Sequence, residues 1–264
     1  MGLFNFFKTK NSFISDADKA DKLADKGKYQ EALDIYNSLL KKNPKSSEIL
    51  YNKSIVLVLL GNYDRSIDCL NEYLKDKPDD ADAWYNKGTV LIKLKKCKQA
   101  LDAFDKTLKL NPNKKKAWYN KGNVLLDLKR YEEAINAFDR TLELDPNQDK
   151  AWFNKGQALY KSDKKDEALN CFEKVLKLNP EHFDALNNKG FLLVRNNHYE
   201  DALNCFEKAL SIKKDPEVYH NKGQALMDLE RYDEALECFE KALQLDSSLK
   251  TSQKSRKEIL SKKE

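Results

Sequence analysis

The chain has 264 residues, of which 34% are charged and 41% are hydrophobic, and its formal net charge is +5. No run of about 18 apolar residues occurs, so the sequence predicts no transmembrane helix. The 12 Phe, 12 Tyr and 3 Trp residues are enough to build a core, which argues against disorder. The positive charge lies at the two ends, because residues 13–249 sum to −1. A nearly neutral body argues against nucleic-acid binding, which needs clustered cations.

Residues 1–12 contain an apolar tip, residues 3–7, followed by Lys8 and Lys10. The segment lacks the basic leader and the length of a secretory signal, so we expect a cytoplasmic protein. Two interpretations of the tip stay open: it caps the helical segment that follows, which we favour, or it enters a lipid surface. The myristoylation pattern is not met, because Phe6 stands where Ser or Thr is required.

A 34-residue period runs through most of the chain. Proline recurs at this interval, at Pro44, Pro78, Pro112, Pro146 and Pro180. One residue is missing before Pro216, which shortens a single interval to 33. The period predicts seven repeats: 13–46, 47–80, 81–114, 115–148, 149–182, 183–215 and 216–249.

Each repeat contains two stretches with helical spacing of apolar residues. In the third repeat, Trp84 and Gly88 share one face of a first helix, and Ala100 and Phe104 share one face of a second. Pro112 ends the second helix, because proline disfavours helix at the residue before it. One such pair cannot bury its apolar face alone, so the pattern predicts stacked pairs in a continuous solenoid.

The pattern Trp84, Gly88, Ala100, Phe104, Pro112 resembles the tetratricopeptide repeat family over residues 13–249. The resemblance implies an all-α, right-handed superhelical α-solenoid of helix-turn-helix repeats, with residues 250–264 as a basic C-terminal capping helix. It also implies a non-catalytic protein that binds a protein or peptide in a concave groove lined by the first helices. The first repeat departs from the pattern, with Asp16 and Ala20 in place of the tryptophan and the glycine.

Nothing in the sequence indicates catalysis, a cofactor or a metal. His182, His198 and His220 occupy three different places in their repeats, and no nucleotide-binding, zinc-protease or serine-hydrolase motif occurs. The five cysteines include no CxxC pair, so neither a disulfide framework nor a zinc site is predicted. Four of them share one place in the second helix, which indicates a small buried residue: Cys69, Cys171, Cys205 and Cys238.

A lysine precedes the glycine place in every repeat: Lys19, Lys53, Lys87, Lys121, Lys155, Lys189 and Lys222. These lysines form either a cationic stripe for an acidic partner or a ladder of interhelical ion pairs, and we favour the ladder. Its acids would come from two places on the second helices: Asp34, Asp68, Asp102 or Asp105, Asp139, Glu173, Glu207, and Glu237 or Glu240.

By resemblance, the ligand-facing places of each repeat are the second, fifth, sixth, ninth, twelfth and thirteenth. The predicted peptide-binding groove consists of Tyr85, Asn86, Lys93, Lys116, Tyr119, Asn120, Asn123, Lys150, Phe153, Asn154, Gln157, Tyr160, Lys161, Asn188, Phe191 and Arg195. The sixth-place asparagines could bond a peptide backbone, or they could support helix stacking instead. The aromatic and cationic residues favour a peptide or disordered partner segment with acidic and aliphatic residues, which would bind in repeats three to six. The clamp for chaperone C-termini is absent, because Tyr119 and Asp184 replace its lysines and Asn188 its arginine.

The leading functional prediction is therefore a protein-interaction scaffold. One alternative is a peripheral membrane assembly factor that uses the N-terminal tip. A second is an RNA-binding helical-repeat protein, which the 34-residue period and the neutral body disfavour. The charges of −5 on the seventh repeat and +5 on the third would also permit head-to-tail self-association.

Overall fold

The computed structural model describes residues 15–263 as helices and their connections, with side chains described from residue 16 to residue 261. Over this range it contains fifteen α-helices and no strand, which confirms the all-α prediction. The predicted N-terminal tip, residues 1–12, lies outside the described residues. No helix in the described part of the chain is long and apolar enough to cross a bilayer.

The chain divides into two compact units, which meet between Arg130 and Tyr131 in the sequence. The helices of the first unit are α1 (Ser15–Asp25), α2 (Tyr29–Lys42), α3 (Ser47–Leu59), α4 (Tyr63–Asp76), α5 (Ala81–Lys93), α6 (Cys97–Leu110) and α7 (Lys115–Asp127). Those of the second are α8 (Tyr131–Leu144), α9 (Asp149–Lys161), α10 (Lys165–Leu178), α11 (Phe183–Arg195), α12 (Tyr199–Ile212), α13 (Pro216–Asp228), α14 (Tyr232–Leu245) and α15 (Lys250–Lys263). Within each unit, every helix packs against the next along the chain, as successive antiparallel pairs require.

A glycine on the first helix and a phenylalanine on the second bring the two helices of a pair together. A Cβ atom added to Gly88 would lie 2.6 Å from Cε1 of Phe104, and one added to Gly190 would lie at the same distance from Cε1 of Phe206. Both phenylalanine rings are fully buried, so they fill the space that a side chain on the glycine would occupy. The 34-residue period of the sequence therefore corresponds to a repeated contact between the two helices of a pair.

The turn inside each pair needs one residue in the left-handed region. Gly27 and Gly61 provide it in the first two pairs, each with φ of 76°. In later pairs residues with side chains adopt positive φ: Lys95, Lys129, Asp163, Asn197 and Glu230. A left-handed residue that carries a Cβ atom costs roughly 1 kcal/mol, so these turns store local strain.

Capping and a tryptophan contact fix how the first helices begin. Asp80 accepts hydrogen bonds from the backbone N–H groups of Asp82 and Ala83, at 2.9 and 3.2 Å. Trp84 is half-buried, and its indole N–H donates to the carbonyl of Pro78 at 2.8 Å. Trp118 and Trp152 contact Pro112 and Pro146 in the same way. Each of the three tryptophans therefore ties a loop to the helix that follows it.

The C-terminal helix α15 packs on α14 and continues the repeat register. Ile259 and Ser252 are fully buried at places that Ala225 and Val218 occupy on α13, 34 residues earlier. Lys257 takes the place of the glycine, so a further second helix could not approach closely. The helix therefore acts as a cap, as the sequence predicts.

Candidate functional site

The sixteen predicted groove residues all lie on first helices. Seven are on α5 and α7 in the first unit, and nine are on α9 and α11 in the second. Exposed cations among them include Lys93 in the first unit, and Lys161 and Arg195 in the second.

In the first unit, the sixth-place asparagines bond to the preceding repeat. Asn86 donates from Nδ2 to the hydroxyl of Tyr51 at 2.9 Å, and Asn120 donates to the hydroxyl of Tyr85 at 3.2 Å. Asn86 is only 7% exposed, and burial raises the pKa of Tyr51, which keeps the phenol neutral. These contacts support the stacking role that the sequence left open. One amide N–H of each asparagine is thereby committed inside the protein.

The second unit contains a similar contact, in which Asn221 donates from Nδ2 to Oδ1 of Asn187 at 3.0 Å. Here the fifth-place residue is Asn187 rather than a tyrosine, so the same column of bonds uses a different acceptor. Sequence reasoning left this pairing undecided, although its signal was present: tyrosine and asparagine recur 35 residues apart, on neighbouring first helices.

An aromatic–cationic cluster lies between α9 and α11, formed by Tyr160, Lys161, Phe191 and Arg195. The rings of Tyr160 and Phe191 meet edge to face, with centroids 6.0 Å apart. Lys161 Nζ lies 5.7 Å from the centroid of Tyr160, and the guanidinium of Arg195 lies 5.4 Å from that of Phe191. The structure thus brings together four of the predicted groove residues, with two exposed cations beside an aromatic pair.

A cleft of about 430 Å³ adjoins the cluster between α11 and α13. Its lining includes Phe191 and Arg195, which belong to the sixteen predicted groove residues, and His220, Gln224 and Asp228, which lie outside that set. The last three occupy the fifth, ninth and thirteenth places of the seventh repeat, so extending the predicted groove by one repeat would have found them. Phe153, another predicted residue, stacks instead on His182, with ring centroids 4.8 Å apart.

The C-terminal cap bonds to two of the missed residues. Nδ1 of His220 lies 3.0 Å from the hydroxyl of Ser252, and Gln224 donates from Nε2 to Ser255 at 2.8 Å. Burial lowers the pKa of His220, so its imidazole is neutral at physiological pH. The cap helix α15 therefore supports the side of the cleft that α13 provides.

The lysines before the glycine place form the predicted interhelical ladder in four repeats. Their ammonium groups meet a carboxylate on the preceding second helix: Lys121 with Asp105 (2.6 Å), Lys155 with Asp139 (2.5 Å), Lys189 with Glu173 (2.9 Å) and Lys222 with Glu207 (2.8 Å). Arg256 on the cap continues the series with Glu240 at 3.5 Å. Lys87 differs, because Asn71 stands where an acid would be. The ammonium of Lys87 lies over the ring of Trp84, as those of Lys121 and Lys155 lie over Trp118 and Trp152.

The cysteine and histidine side chains, which could in principle take part in catalysis, lie in positions that serve the fold. Cys69, Cys171, Cys205 and Cys238 are buried free thiols, and burial raises the pKa of Cys171 to about 11, which disfavours the reactive thiolate. His182 caps α11 by accepting from the backbone N–H of Ala185. No group of His, Cys, Asp and Glu side chains in the described part of the chain could hold a metal ion.

Three family models match the chain, and all describe tetratricopeptide repeats. Two general models match residues 23–87, and 81–114 with 216–249. The third, the tetratricopeptide domain of cytochrome c-type biogenesis protein H, matches residues 111–219. Together they extend without a gap from residue 23 to residue 249, over the helix pairs already described. The chain is a tetratricopeptide repeat protein.

Solved structures of several other proteins are similar to it. YrrB, described as having an unusual peptide-binding site, is 26% identical, with 74% of this chain and 97% of that chain covered and a TM-score of 0.63. MamA from Desulfovibrio magneticus is 26% identical over 63% of this chain and 94% of that one, with a TM-score of 0.60. The C-terminal part of a repeat protein from Cytophaga hutchinsonii covers 90% and 98% with a TM-score of 0.74, and at 17% identity it shows the fold alone. No curated protein matches the sequence.

Proposed function

We propose that this tetratricopeptide repeat protein is a non-catalytic scaffold that binds a disordered partner segment on the first helices of its second unit. The observation that carries the proposal is the aromatic–cationic cluster beside the cleft of about 430 Å³. Repeat proteins of this family generally bind other proteins, and the similar protein YrrB is described as having a peptide-binding site. The cluster lies on α9 and α11, which are first helices, and the resemblance to the family implies that first helices line the ligand groove.

The cluster favours acidic residues that stand next to apolar ones. The exposed charges of Lys161 and Arg195 attract carboxylates, and arginine can bind one with two parallel hydrogen bonds. The rings of Tyr160 and Phe191 offer an apolar surface to an aliphatic side chain beside the carboxylate. An extended segment advances about 3.3 Å per residue, so neighbouring side chains can reach both kinds of surface.

Selection from a library of disordered peptides, followed by fluorescence anisotropy, tests the proposal. We expect the full chain to enrich peptides with Asp or Glu beside aliphatic residues. Loss of two exposed charge contacts, each about 0.5–1 kcal/mol, should weaken their binding by roughly 5- to 30-fold in Lys161→Ala/Arg195→Ala. Phe191→Ala should weaken the binding of these peptides by an amount that does not depend on the salt concentration.

The matched control is Lys174→Ala/Lys177→Ala, which removes two exposed cations from α10. It lowers the net charge equally, so it should bind like the unaltered chain if the cluster is the site. Equal weakening in both double variants would mean that net charge alone attracts the peptides. No enrichment by the unaltered chain would contradict the proposal itself.

No described contact favours either alternative. The membrane role depends on residues 1–12, which lie outside the described residues. RNA binding needs a continuous cationic surface, whereas the first helices of the second unit alternate cations with Asp184, Glu217 and Asp228. The protein-binding role thus has the stronger support.

A further inference from the structure

The first repeat contains a buried carboxyl group with an incomplete set of hydrogen bonds. Asp21 on α1 is 7% exposed, and Asn52 on α3 is fully buried. Asn52 donates from Nδ2 to Oδ1 of Asp21 at 3.1 Å, and the hydroxyl of Tyr36 on α2 donates to the same oxygen. Oδ2 of Asp21 and Oδ1 of Asn52 have no hydrogen-bond partner among the described residues. Three helices therefore meet at one carboxyl group that uses only one of its oxygens.

Two unpaired oxygens at one buried place are costly, because each has lost its water. Turning the amide of Asn52 over would not help, since its oxygen would then face Oδ1 of Asp21 and the existing bond would be lost. A proton on Oδ2 of Asp21 changes the balance, because the carboxyl group then has a donor to offer. An acid and an amide can form two parallel hydrogen bonds, one in each direction, and this arrangement satisfies both oxygens together.

We propose that Asp21 is a neutral carboxylic acid in the folded first repeat, paired with Asn52 through two hydrogen bonds, and that this pair is a proton-dependent latch between α1 and α3. The stability of the first repeat thus depends on the protonation of Asp21, a condition that does not apply to the other repeats. When Asp21 loses its proton, the bond from Oδ2 is lost and a buried charge appears.

The surroundings of Asp21 oppose its charged form. Burial raises the pKa of Asp21, and the carboxylates of Asp18 and Asp25 on the same helix act in the same direction. The hydrogen bonds from Tyr36 and Asn52 oppose this shift but do not cancel it. From α2 the group that faces Asp21 is the phenol of Tyr36, whose own pKa is raised by burial, and from α3 it is the neutral amide of Asn52. No cation of the described residues is among the groups that shift Asp21.

The latch is particular to the first repeat. Asp21 occupies the ninth place, where the following repeats carry Ile55, Thr89, Asn123, Gln157, Phe191 and Gln224. The next asparagine in the column of Asn52 is Asn86, which bonds to a tyrosine rather than to an acid. Only here, in the described residues, does a buried carboxyl group meet the asparagine column.

The sign of the pH dependence follows from the raised pKa. The stabilisation is complete below the ordinary pKa of aspartate and is lost as pH rises to the raised value in the folded chain. Between the two values, the equilibrium constant for opening α1 should rise by up to tenfold per pH unit, and above the raised value it should level off. The first repeat should therefore loosen before the others as pH increases.

Hydrogen-exchange protection factors of the α1 amides, measured on the full chain between pH 4 and pH 9, test the latch. In the unaltered chain we expect protection to fall over this range and then reach a plateau. Asp21→Asn carries a permanent donor in place of the protonated oxygen, so its protection should not change with pH. Asp34→Asn, the same change at an exposed carboxylate on α2, should follow the unaltered chain.

The carboxyl ¹³C shift of Asp21 in the unaltered chain gives a second measurement, which does not depend on any variant folding. It should titrate above the ordinary range of aspartate. Titration within that range would overturn the proposal, as would α1 protection that does not vary with pH. A pH dependence that persists in Asp21→Asn would assign the effect to another group and would also overturn it.

Discussion

The contact between Gly88 and Phe104 predicts how a single added methyl group affects the fold. In Gly88→Ala the new Cβ atom would lie 2.6, 2.9 and 3.0 Å from three carbons of the Phe104 ring. Ordinary carbon contacts are about 3.5–4.0 Å, so the ring must move by about 1 Å. Phe104 is fully buried, and overpacking of this kind costs about 1–3 kcal/mol. Alanine gains about 1 kcal/mol in helix propensity, which leaves a net loss of about 1 kcal/mol.

A double-mutant cycle isolates the steric part of this effect. Phe104→Leu alone should destabilise the protein, because it removes buried volume. In the Gly88→Ala background the same change should cost about 1–2 kcal/mol less, since the smaller side chain relieves the clash. Helix propensity cancels in the cycle, because residue 88 contributes equally to both backgrounds. The coupling free energy is therefore the quantity to measure.

Urea unfolding followed by circular dichroism gives the four free energies. The unaltered chain already contains an internal comparison, because Ala20 occupies the glycine place of the first repeat, opposite Tyr36. Ala20→Gly is the reverse of Gly88→Ala, and it should also destabilise the protein, because it lowers the helix propensity and removes a buried methyl group. A coupling near zero, or stabilisation by Gly88→Ala of the size seen at an exposed helical position, would refute the packing argument.

Two further changes follow from the turns and the ladder. Lys95→Gly should stabilise the protein by about 0.5 kcal/mol and Gly61→Ala should destabilise it by about 1 kcal/mol, because both residues have positive φ; urea midpoints that shift the other way would contradict this reasoning. Lys189→Glu should cost about 1 kcal/mol by placing a second carboxylate beside Glu173, and the swap with Glu173→Lys should recover most of it. The deficit should shrink in 1 M salt, and a deficit that does not depend on salt would point to lost packing by the lysine stem.

Much of the fold could be predicted because the repeat restates the same local rules every 34 residues. A small residue at Gly88 and a ring at Phe104 are both visible in the sequence, and their spacing assigns them to facing helices. Proline and the acidic caps mark where helices end and begin, as Asp215 does for α13. Each signal is local, so it needs no knowledge of the folded chain.

Contacts between repeats were harder to predict, because they depend on how far one helix is displaced against the next. The sequence shows that Asn86 and Tyr51 recur in columns, but not that the amide reaches the hydroxyl. The hydrogen bond from the indole N–H of Trp84 was equally hard to predict, because only the folded loop brings the carbonyl of Pro78 to 2.8 Å from the indole nitrogen. The ladder was predictable because ion pairing adds a constraint on charge that a hydrogen bond between neutral groups lacks.

Asp21 shows a further reason why sequence reasoning misses a site. It lies at a ninth place, which the period assigns to the polar, ligand-facing surface, so a carboxylate there looked ordinary. Burial of this place depends on Tyr36 and Asn52, which come from two other helices. A buried polar cluster is a property of three elements at once, and hydrophobic periodicity describes only one element at a time.

The residue places that hold the fold together differ from the places that would decide which partner binds. Buried places such as the glycine and the phenylalanine are the same in all five repeats from residue 81 to residue 249, because packing at native density tolerates little change. The ninth and thirteenth places vary between repeats, and in the second unit they bring Phe191 beside the ring of Tyr160 and Arg195 beside the ring of Phe191. If every repeat carried the same residues, every repeat would offer a partner the same contacts. Under the proposed function, selection among partners therefore depends on the places that differ between repeats, and the aromatic–cationic cluster is built from such places.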